Sequence, residues 1–159
     1  MNKILVAKYR TGEMQVVSGP MGKQCMHYEA VPAKDVKAEM DRFLSWLNED
    51  TIVIDGVLKS AIAHFWFIII HLFNDGNGCI ARAISDMLLA RREHSPERFY
   101  SLSNQIQQEK NACYEMLKTV QHSDGDITKW LIWFLNCMEY ALIEAEDGMQ
   151  SVLSKAEFW

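Results

Sequence analysis

Residues 71 to 82 read His-Leu-Phe-Asn-Asp-Gly-Asn-Gly-Cys-Ile-Ala-Arg, and helical hydrophobic patterns stand on both sides of them. Residues 57 to 70 are apolar nearly all round, which is typical of a helix in the middle of a bundle. A strand is the competing interpretation, but the apolar stretch exceeds the roughly 4 to 8 residues of a buried strand. Beyond the glycines, a second helical stripe runs to Arg91-Arg92 and consists of Ile80, Ile84, Met87 and Leu88. The sequence therefore predicts a helix-loop-helix over residues 57–92.

The loop between these helices has the features of a phosphate site. Gly76 and Gly78 let backbone N–H groups approach an anion, and the following helix adds unpaired N–H donors and the positive end of its dipole. Asp75 is suited to Mg²⁺ shared with phosphate oxygens, and Arg82 lies about one helical turn beyond Gly78. A neutral His71 could act as a general base toward an incoming hydroxyl. Together these residue types indicate nucleotidyl or phosphoryl transfer.

The order His-x-Phe-x-Asp-Gly-Asn-Gly-x-x-x-Arg resembles the signature of the Fic (filamentation induced by cAMP) family. The similarity extends to residues 9–12, 17–20, 27–30 and 127–131, so it covers most of the chain. It implies a mainly α fold, a Fic-type helical bundle with one small β-hairpin, as a single domain over residues 1–159. The matching signature positions are His71, Phe73, Asp75, Gly76, Asn77, Gly78 and Arg82.

The resemblance implies a protein adenylyltransferase that moves AMP from ATP to a Ser, Thr or Tyr hydroxyl of a target protein. His71 would be the general base, Asp75 the magnesium ligand and residues 76–78 the anion hole, with Arg82 on the phosphates. Phe73 would anchor the loop in the core. The position of Tyr114 resembles one near the adenine. ATP as substrate and Mg²⁺ as cofactor belong to the same expectation.

A β-hairpin is predicted before the helices. Residues 13–17 and 25–28 are β-prone runs on either side of the turn formers at 18–22. The hairpin over 13–28 resembles the family's flap, which binds the target's acceptor segment as an added strand.

The remaining apolar patterns predict further helices and a core. Residues 36–47 carry the stripe of an amphipathic helix, residues 106–120 predict one further helix, and residues 130–142 belong to a last long helix after a polar loop at 122–126. His64 lies two helical turns before His71, so the two cannot share a metal, and we interpret His64 as a packing residue. The Trp and Phe residues at 65–67 and 130–134 are assigned to the core.

Two features depart from the family pattern. Cys79 stands where the signature has an arginine directly after Asn-Gly, which removes one of two guanidinium groups from the triphosphate site. Few residues precede the hairpin, so the family's N-terminal helices are expected to be absent.

We find no inhibitory helix pattern of Ser or Thr, three residues, Glu, then Gly or Asn. Inhibition would then come from a partner in trans, or the chain is a fragment of a longer protein.

These departures leave other functions open. A domain impaired by Cys79 would act as a nucleotide-binding or protein-binding module. A relative that uses another phosphate donor, or that removes AMP, would employ the same His71 and Asp75. The target protein, its acceptor residue and the oligomeric state cannot be read from the sequence.

The composition argues against several other classes of protein. The 159 residues carry a net charge of −5 without a basic cluster beyond Arg91-Arg92, so nucleic-acid binding by this segment is not expected. No window of about 18 uninterrupted apolar residues occurs, which argues against a membrane segment. The four cysteines lack CxxC spacing and are interpreted as reduced thiols. A cytoplasmic protein is the expectation.

Overall fold

The structure is a computed structural model that describes residues 8–18, 25–49, 53–93, 95, 98–121 and 123–156. Within these residues the chain forms a two-stranded antiparallel hairpin followed by six helices. The elements are β1 (Gln15–Ser18), β2 (Cys25–Glu29), α1 (Val36–Leu47), α2 (Gly56–Ile70), α3 (Asn77–Glu93), α4 (Leu102–Gln108), α5 (Lys110–Gln121) and α6 (Thr128–Ala156). The expected fold class, a helical bundle with one small hairpin, is confirmed.

Helix α2 is the central element of the bundle, as its apolar sequence predicts. It packs against α1, α3 and α6. Asp55 begins it by accepting hydrogen bonds from the N–H groups of Val57 and Leu58, at 2.9 and 3.4 Å, which satisfies two of the N–H groups left unpaired at a helix start. The buried indole of Trp130, on α6, donates to the carbonyl of Ala61 at 3.0 Å and so ties α6 to the middle of α2.

Helices α2 and α3 pack closely through small and polar residues. Ser60 Oγ donates to the carbonyl of Ser85 at 3.2 Å, and His64 Nδ1 lies 3.0 Å from Ser85 Oγ. Ala81 and Ser85 are buried in this contact, whereas Ile80 is 36% exposed. Of the predicted stripe, Leu88 is buried, and Ile84 and Met87 pack against the core. The hydrophobic pattern left out Ala81 and Ser85, because a close helix contact selects small side chains that hydrophobicity alone does not favour.

The prediction of one helix over residues 106–120 is wrong in the number of helices, because two helices occupy this region. Helix α4 ends at Gln108, and α5 begins at Lys110. Glu109 lies at the junction, where its carboxylate accepts hydrogen bonds from Gln105 Nε2 at 2.9 Å and from Trp133 Nε1 at 3.1 Å. The apolar spacing continues across the break, so periodicity gave no sign of it.

The hairpin pairs Gln15 with Glu29 and Val16 with Tyr28, and its register shifts between Val16 and Val17. Strand β2 packs against α5. The predicted turn at 18–22 lies almost wholly outside the described residues, as do His94, Pro96 and His122. No helix within the described ranges combines the length and apolar character that crossing a bilayer demands.

The buried His64 generates a prediction for stability. Burial lowers its pKa from 6.5 to about 3, so on acidification the unfolded chain takes up this proton first. Stability should therefore fall as the pH drops below 6.5, by about 2 kcal/mol from this group between pH 7 and pH 5. Urea unfolding followed by tryptophan fluorescence at pH 7, 6 and 5 measures the loss.

The matched variant is His64→Gln, which keeps a polar side chain near Ser85 but does not titrate. It should be less stable at pH 7 and lose less stability on acidification than the unsubstituted protein. Equal pH slopes for the two proteins would contradict a neutral, buried His64.

Candidate active site

A cavity of about 540 Å³ opens where the end of α2, the start of α3, strand β1 and the α4–α5 junction meet. Its volume is within the range of small-molecule sites. The cavity brings together nearly all of the candidate site residues of the sequence: His71, Asp75, Gly76, Asn77, Gly78, Cys79, Arg82 and Tyr114. Phe73 is the candidate that does not line it.

His71 ends α2 in an unusual backbone conformation. Its φ and ψ are 48° and 59°, in the left-handed region, and it is the only non-glycine residue with positive φ in the described part of the chain. This conformation costs an L-residue roughly 1 to 2 kcal/mol. Strained residues of this kind cluster at functional sites, because the surrounding structure must hold them.

The side chain of Arg10 holds this strained helix end. It is 2% exposed, and its guanidinium donates to the carbonyls of His71 at 2.7 Å, Ile70 at 3.2 Å and Val31. A further N–H donates to the Gly12 carbonyl at 2.9 Å. The rigid fork of five N–H donors suits Arg to several carbonyls at once. Arg10 therefore satisfies carbonyls that the helix leaves unpaired at its C-terminus.

The imidazole of His71 is fixed from one side by Tyr28. The Tyr28 hydroxyl donates to the carbonyl of Ile68 at 2.9 Å and lies 2.6 Å from His71 Nδ1. Burial raises the pKa of Tyr28, so the phenol keeps its single proton. Because that proton is donated to Ile68, we assign the hydrogen of the His71–Tyr28 contact to Nδ1. The tautomer that results leaves the lone pair on Nε2.

Burial also lowers the pKa of His71 below its usual 6.5, and the charge of Arg10 acts in the same direction. A hydrogen bond to the backbone of Ile68 and the charge of Asp75 oppose the shift without reversing it. His71 is therefore neutral at pH 7. A neutral imidazole with a free Nε2 lone pair can accept a proton.

The loop after His71 is shaped by the side chain of Asn77. Its Oδ1 accepts from the N–H of Phe73 at 2.9 Å, and its Nδ2 donates to the Phe73 carbonyl at 2.7 Å. The ring of Phe73 packs against the core and meets Tyr9 edge-on. Both the oxygen and the nitrogen of the Asn77 side-chain amide are thus hydrogen-bonded to the backbone of Phe73, which fixes the shape of the loop.

Asp75 and Gly76 form the outer edge of the loop. Gly76 has a φ of +84°, which glycine adopts without the strain of a side chain. Its N–H donates to Asp75 Oδ1 at 2.7 Å, so this N–H already has an acceptor. Oδ2 of the exposed Asp75 is left for a cation.

Magnesium would fit this site only together with a phosphate ligand. No group of three or more His, Cys, Asp or Glu side chains able to hold a metal occurs among the described residues. Mg²⁺ is commonly held by one or two carboxylates plus phosphate oxygens and water, and Asp75 meets that minimum.

Cys79 and Arg82 lie on the first turns of α3. Arg82 Nη2 donates to Cys79 Sγ at 3.4 Å, and the thiol is exposed. In the described part of the chain, no carboxylate oxygen lies within 4 Å of the Arg82 guanidinium. The guanidinium is therefore available to an anion.

The opposite wall of the cavity comes from α5 and β1. Tyr114 and Lys110 lie one helical turn apart, with Lys110 Nζ 5.7 Å from the centroid of the Tyr114 ring. Met14 and Val16, in and next to β1, also line the cavity. Sequence reasoning assigned no role to Lys110 because it follows no motif.

Arg10 and Tyr28 were likewise given no function from the sequence. Both lie in short segments that resemble the Fic family, Tyr-Arg-Thr-Gly and His-Tyr-Glu-Ala. Their position in these two segments is the signal that could have pointed to them.

Comparison with known proteins identifies the family of this chain. The model of the Fic/DOC family matches residues 1–89, more than half of the chain. This chain belongs to the Fic/DOC family. Protein adenylyltransferase Fic of Drosophila yakuba is 32% identical over 109 residues, which cover 68% of this chain and 20% of that protein. Protein adenylyltransferase fic-1 of Caenorhabditis elegans is 33% identical over 70 residues, or 43% of this chain and 14% of that protein.

Solved Fic structures share the fold. A Fic family protein from Desulfovibrio desulfuricans G20 matches with a TM-score of 0.71 and 25% identity, over 89% of this chain and 41% of that one. Fic-1 of C. elegans matches with a TM-score of 0.62 and 23% identity, over 91% of this chain and 38% of that one. This Fic domain thus spans a minor part of the length of the relatives that it matches.

The Arg10 contacts predict a large effect of a small change. Arg10→Lys keeps the charge, but one ammonium cannot reach the carbonyls of Val31, Ile70 and His71 together. Because buried carbonyls that lose their partners cost about 1 to 3 kcal/mol, the free energy of unfolding should fall by roughly 2 kcal/mol or more in urea titrations.

The control is Arg42→Lys, which alters an exposed contact with Glu39 on α1. That change should lie within about 0.5 kcal/mol. Equal, small losses for both substitutions would show that Arg10 does not hold the end of α2.

Proposed function

We propose that this Fic domain is a protein adenylyltransferase, which transfers AMP from ATP to a hydroxyl of a target protein. The observation that carries the proposal is the position of His71, neutral and hydrogen-bonded through Nδ1, in one cavity with Asp75, the Gly-Asn-Gly turn and Arg82. The names of the relatives support it, because the similar proteins of D. yakuba and C. elegans are protein adenylyltransferases.

In the proposed reaction, the acceptor hydroxyl oxygen attacks the α-phosphorus of ATP. Its proton passes to Nε2 of His71, the bond from the α-phosphorus to the bridging oxygen breaks, and pyrophosphate leaves. Tyr28 and the Ile68 carbonyl hold the imidazole so that Nε2 carries the lone pair. A positioned base of this kind typically contributes about 10²- to 10⁴-fold to a rate.

The phosphates would bind at the start of α3. The N–H groups of Asn77, Gly78 and Cys79 belong to the first helical turn, where no intrahelical acceptor exists and the dipole favours anions. Arg82 would add a charge-assisted contact. Asp75 would hold Mg²⁺ together with phosphate oxygens, and the ion would neutralise charge on the triphosphate.

The hairpin would hold the target. Strand β2 packs on α5, whereas Met14, Gln15 and Val16, in and next to β1, line the cavity. A target segment added along the edge of β1 would therefore bring its hydroxyl to the cavity mouth, with affinity supplied mainly by backbone hydrogen bonds. A cytoplasmic location, and an inhibitory partner acting in trans, remain predictions attached to this proposal.

A second candidate function is favoured by Cys79. An exposed thiol, 3.4 Å from Arg82, occupies the position of the family's arginine. Without the charge-assisted phosphate contact of that arginine, triphosphate orientation would weaken about tenfold to a hundredfold. The domain would then bind nucleotide or target without fast transfer. Use of another phosphate donor, or removal of AMP, is a further alternative that the same His71 and Asp75 would serve.

The decisive experiment is labelling with α-labelled ATP and Mg²⁺, with the protein alone and with a cell lysate. The unsubstituted protein, His71→Ala and Cys79→Arg are compared. We expect labelled protein bands that disappear in His71→Ala and become stronger in Cys79→Arg. Circular dichroism confirms that each variant is folded.

Each other outcome has a definite meaning. Label only with Cys79→Arg would assign the impaired, binding function to the unsubstituted protein. Label that persists in His71→Ala would exclude His71 as the base. Absence of label from all three proteins would remove the transferase proposal in favour of a binding module.

The lowered pKa of His71 predicts the pH dependence of transfer. The base is active when neutral, so the rate should fall as the pH drops through the His71 pKa, which lies below 6.5. We expect a nearly constant rate between pH 7 and pH 8 and a decline on the acid side of pH 6.5. Initial rates under saturating ATP measure this profile, and a decline already complete at pH 7 would contradict a neutral His71.

A further inference from the structure

The cavity contains two cationic side chains on opposite walls. Among the described residues that line it, Arg82 and Lys110 are positively charged and Asp75 is negatively charged. His64 and His71 are neutral at pH 7 because burial lowers the pKa of each. These lining residues therefore carry a formal charge of +1, which favours an anionic ligand.

The wall formed by α3 is short of charge for a polyphosphate. Its cationic side chain in the cavity is Arg82, and the neighbouring position, Cys79, contributes a thiol. A nucleoside triphosphate carries several negative charges, and a single metal ion neutralises only part of them. A second cation near the phosphates would supply the positive charge that the thiol does not.

Lys110 is placed to be that cation. It is the first residue of α5, directly after the α4–α5 junction, and it is exposed at the cavity. Its contact with Tyr114 is a cation–π approach at 5.7 Å, which a mobile four-carbon stem can exchange for a phosphate oxygen. A lysine binds phosphate as a point charge, so it needs no bidentate geometry.

The location of Lys110 is also independent of the motif. Cys79 belongs to α3, whereas Lys110 belongs to α5, and both residues line the same cavity. A positive charge missing from α3 can thus be supplied by α5 without any change in the loop that carries His71.

We propose that Lys110 binds the polyphosphate of the nucleotide and compensates for the arginine that Cys79 replaces. This inference rests on the proposed function, because it concerns the nucleotide of that same site.

Binding measured by calorimetry tests the inference with three probes: Mg²⁺-ATP, inorganic tripolyphosphate and adenosine. Lys110→Met should weaken binding of the first two about tenfold to a hundredfold and change adenosine binding less than about threefold. The control is Lys118→Met, on the same helix two turns further on and outside the cavity lining. It should change none of the three affinities by more than about twofold.

A second experiment tests whether Lys110 compensates for the missing arginine at position 79 or only lies in the same cavity. Cys79→Arg is combined with Lys110→Met, and the four proteins form a double-mutant cycle. If the two positions serve the same phosphates, the loss of affinity caused by Lys110→Met should shrink several-fold in the Cys79→Arg background. Thermal unfolding confirms that all four proteins are folded.

The outcomes distinguish this inference from the proposed function. ATP binding that depends on Arg82, tested with Arg82→Met, but not on Lys110 would overturn the inference and leave the proposed function standing. If Lys110→Met weakens the binding of adenosine and of ATP equally, Lys110 contacts the adenosine part of the nucleotide. That result would also overturn the inference. If no variant binds ATP, Cys79→Arg included, both the inference and the proposed function are overturned.

Discussion

The left-handed conformation of His71 is the constraint on which the rest of the site depends. It ends α2, turns the chain into the Gly-Asn-Gly loop and places the ring of His71 against Tyr28. The conformation is unfavourable by itself, so other groups must stabilise it. Arg10 binds the carbonyls around it, Tyr28 binds the ring, and Asn77 closes the loop that follows. Three polar residues thus determine the position of His71.

Much of the fold and part of the site could be predicted from the sequence. The apolar run before His71, the hairpin and the Asp-Gly-Asn-Gly turn are local patterns, and local patterns are what periodicity and turn chemistry record. The contacts of Arg10 and Tyr28 with the His71 region connect positions far apart in the chain, which no local pattern encodes. The break at Glu109 was missed because the apolar spacing continues across it. The buried face of α3 was predicted only in part, because Ala81 and Ser85 are small rather than strongly hydrophobic.

The cavity shows how one family signature can vary while its scaffold remains. The loop backbone is fixed by the side chain of Asn77, which bonds to the backbone of Phe73, and by the Phe73 ring in the core. The thiol of Cys79 takes no part in these interactions, so the residue at position 79 can change with little effect on the loop. What changes is the charge on the cavity wall, to which α3 contributes Arg82 and α5 contributes Lys110. Scaffold and ligand recognition are separable in this site.

The contact between Arg10 and His71 also has a consequence for the order of folding. The two residues are 61 positions apart, so closing this contact costs more chain entropy than forming α2, whose hydrogen bonds are local. During synthesis, Arg10 leaves the ribosome long before the carbonyl that it binds has been made. Helix α2 can therefore form before its end acquires the left-handed turn. We therefore expect the geometry of the candidate site to be completed when the segment around Arg10 docks, together with the rest of the tertiary fold.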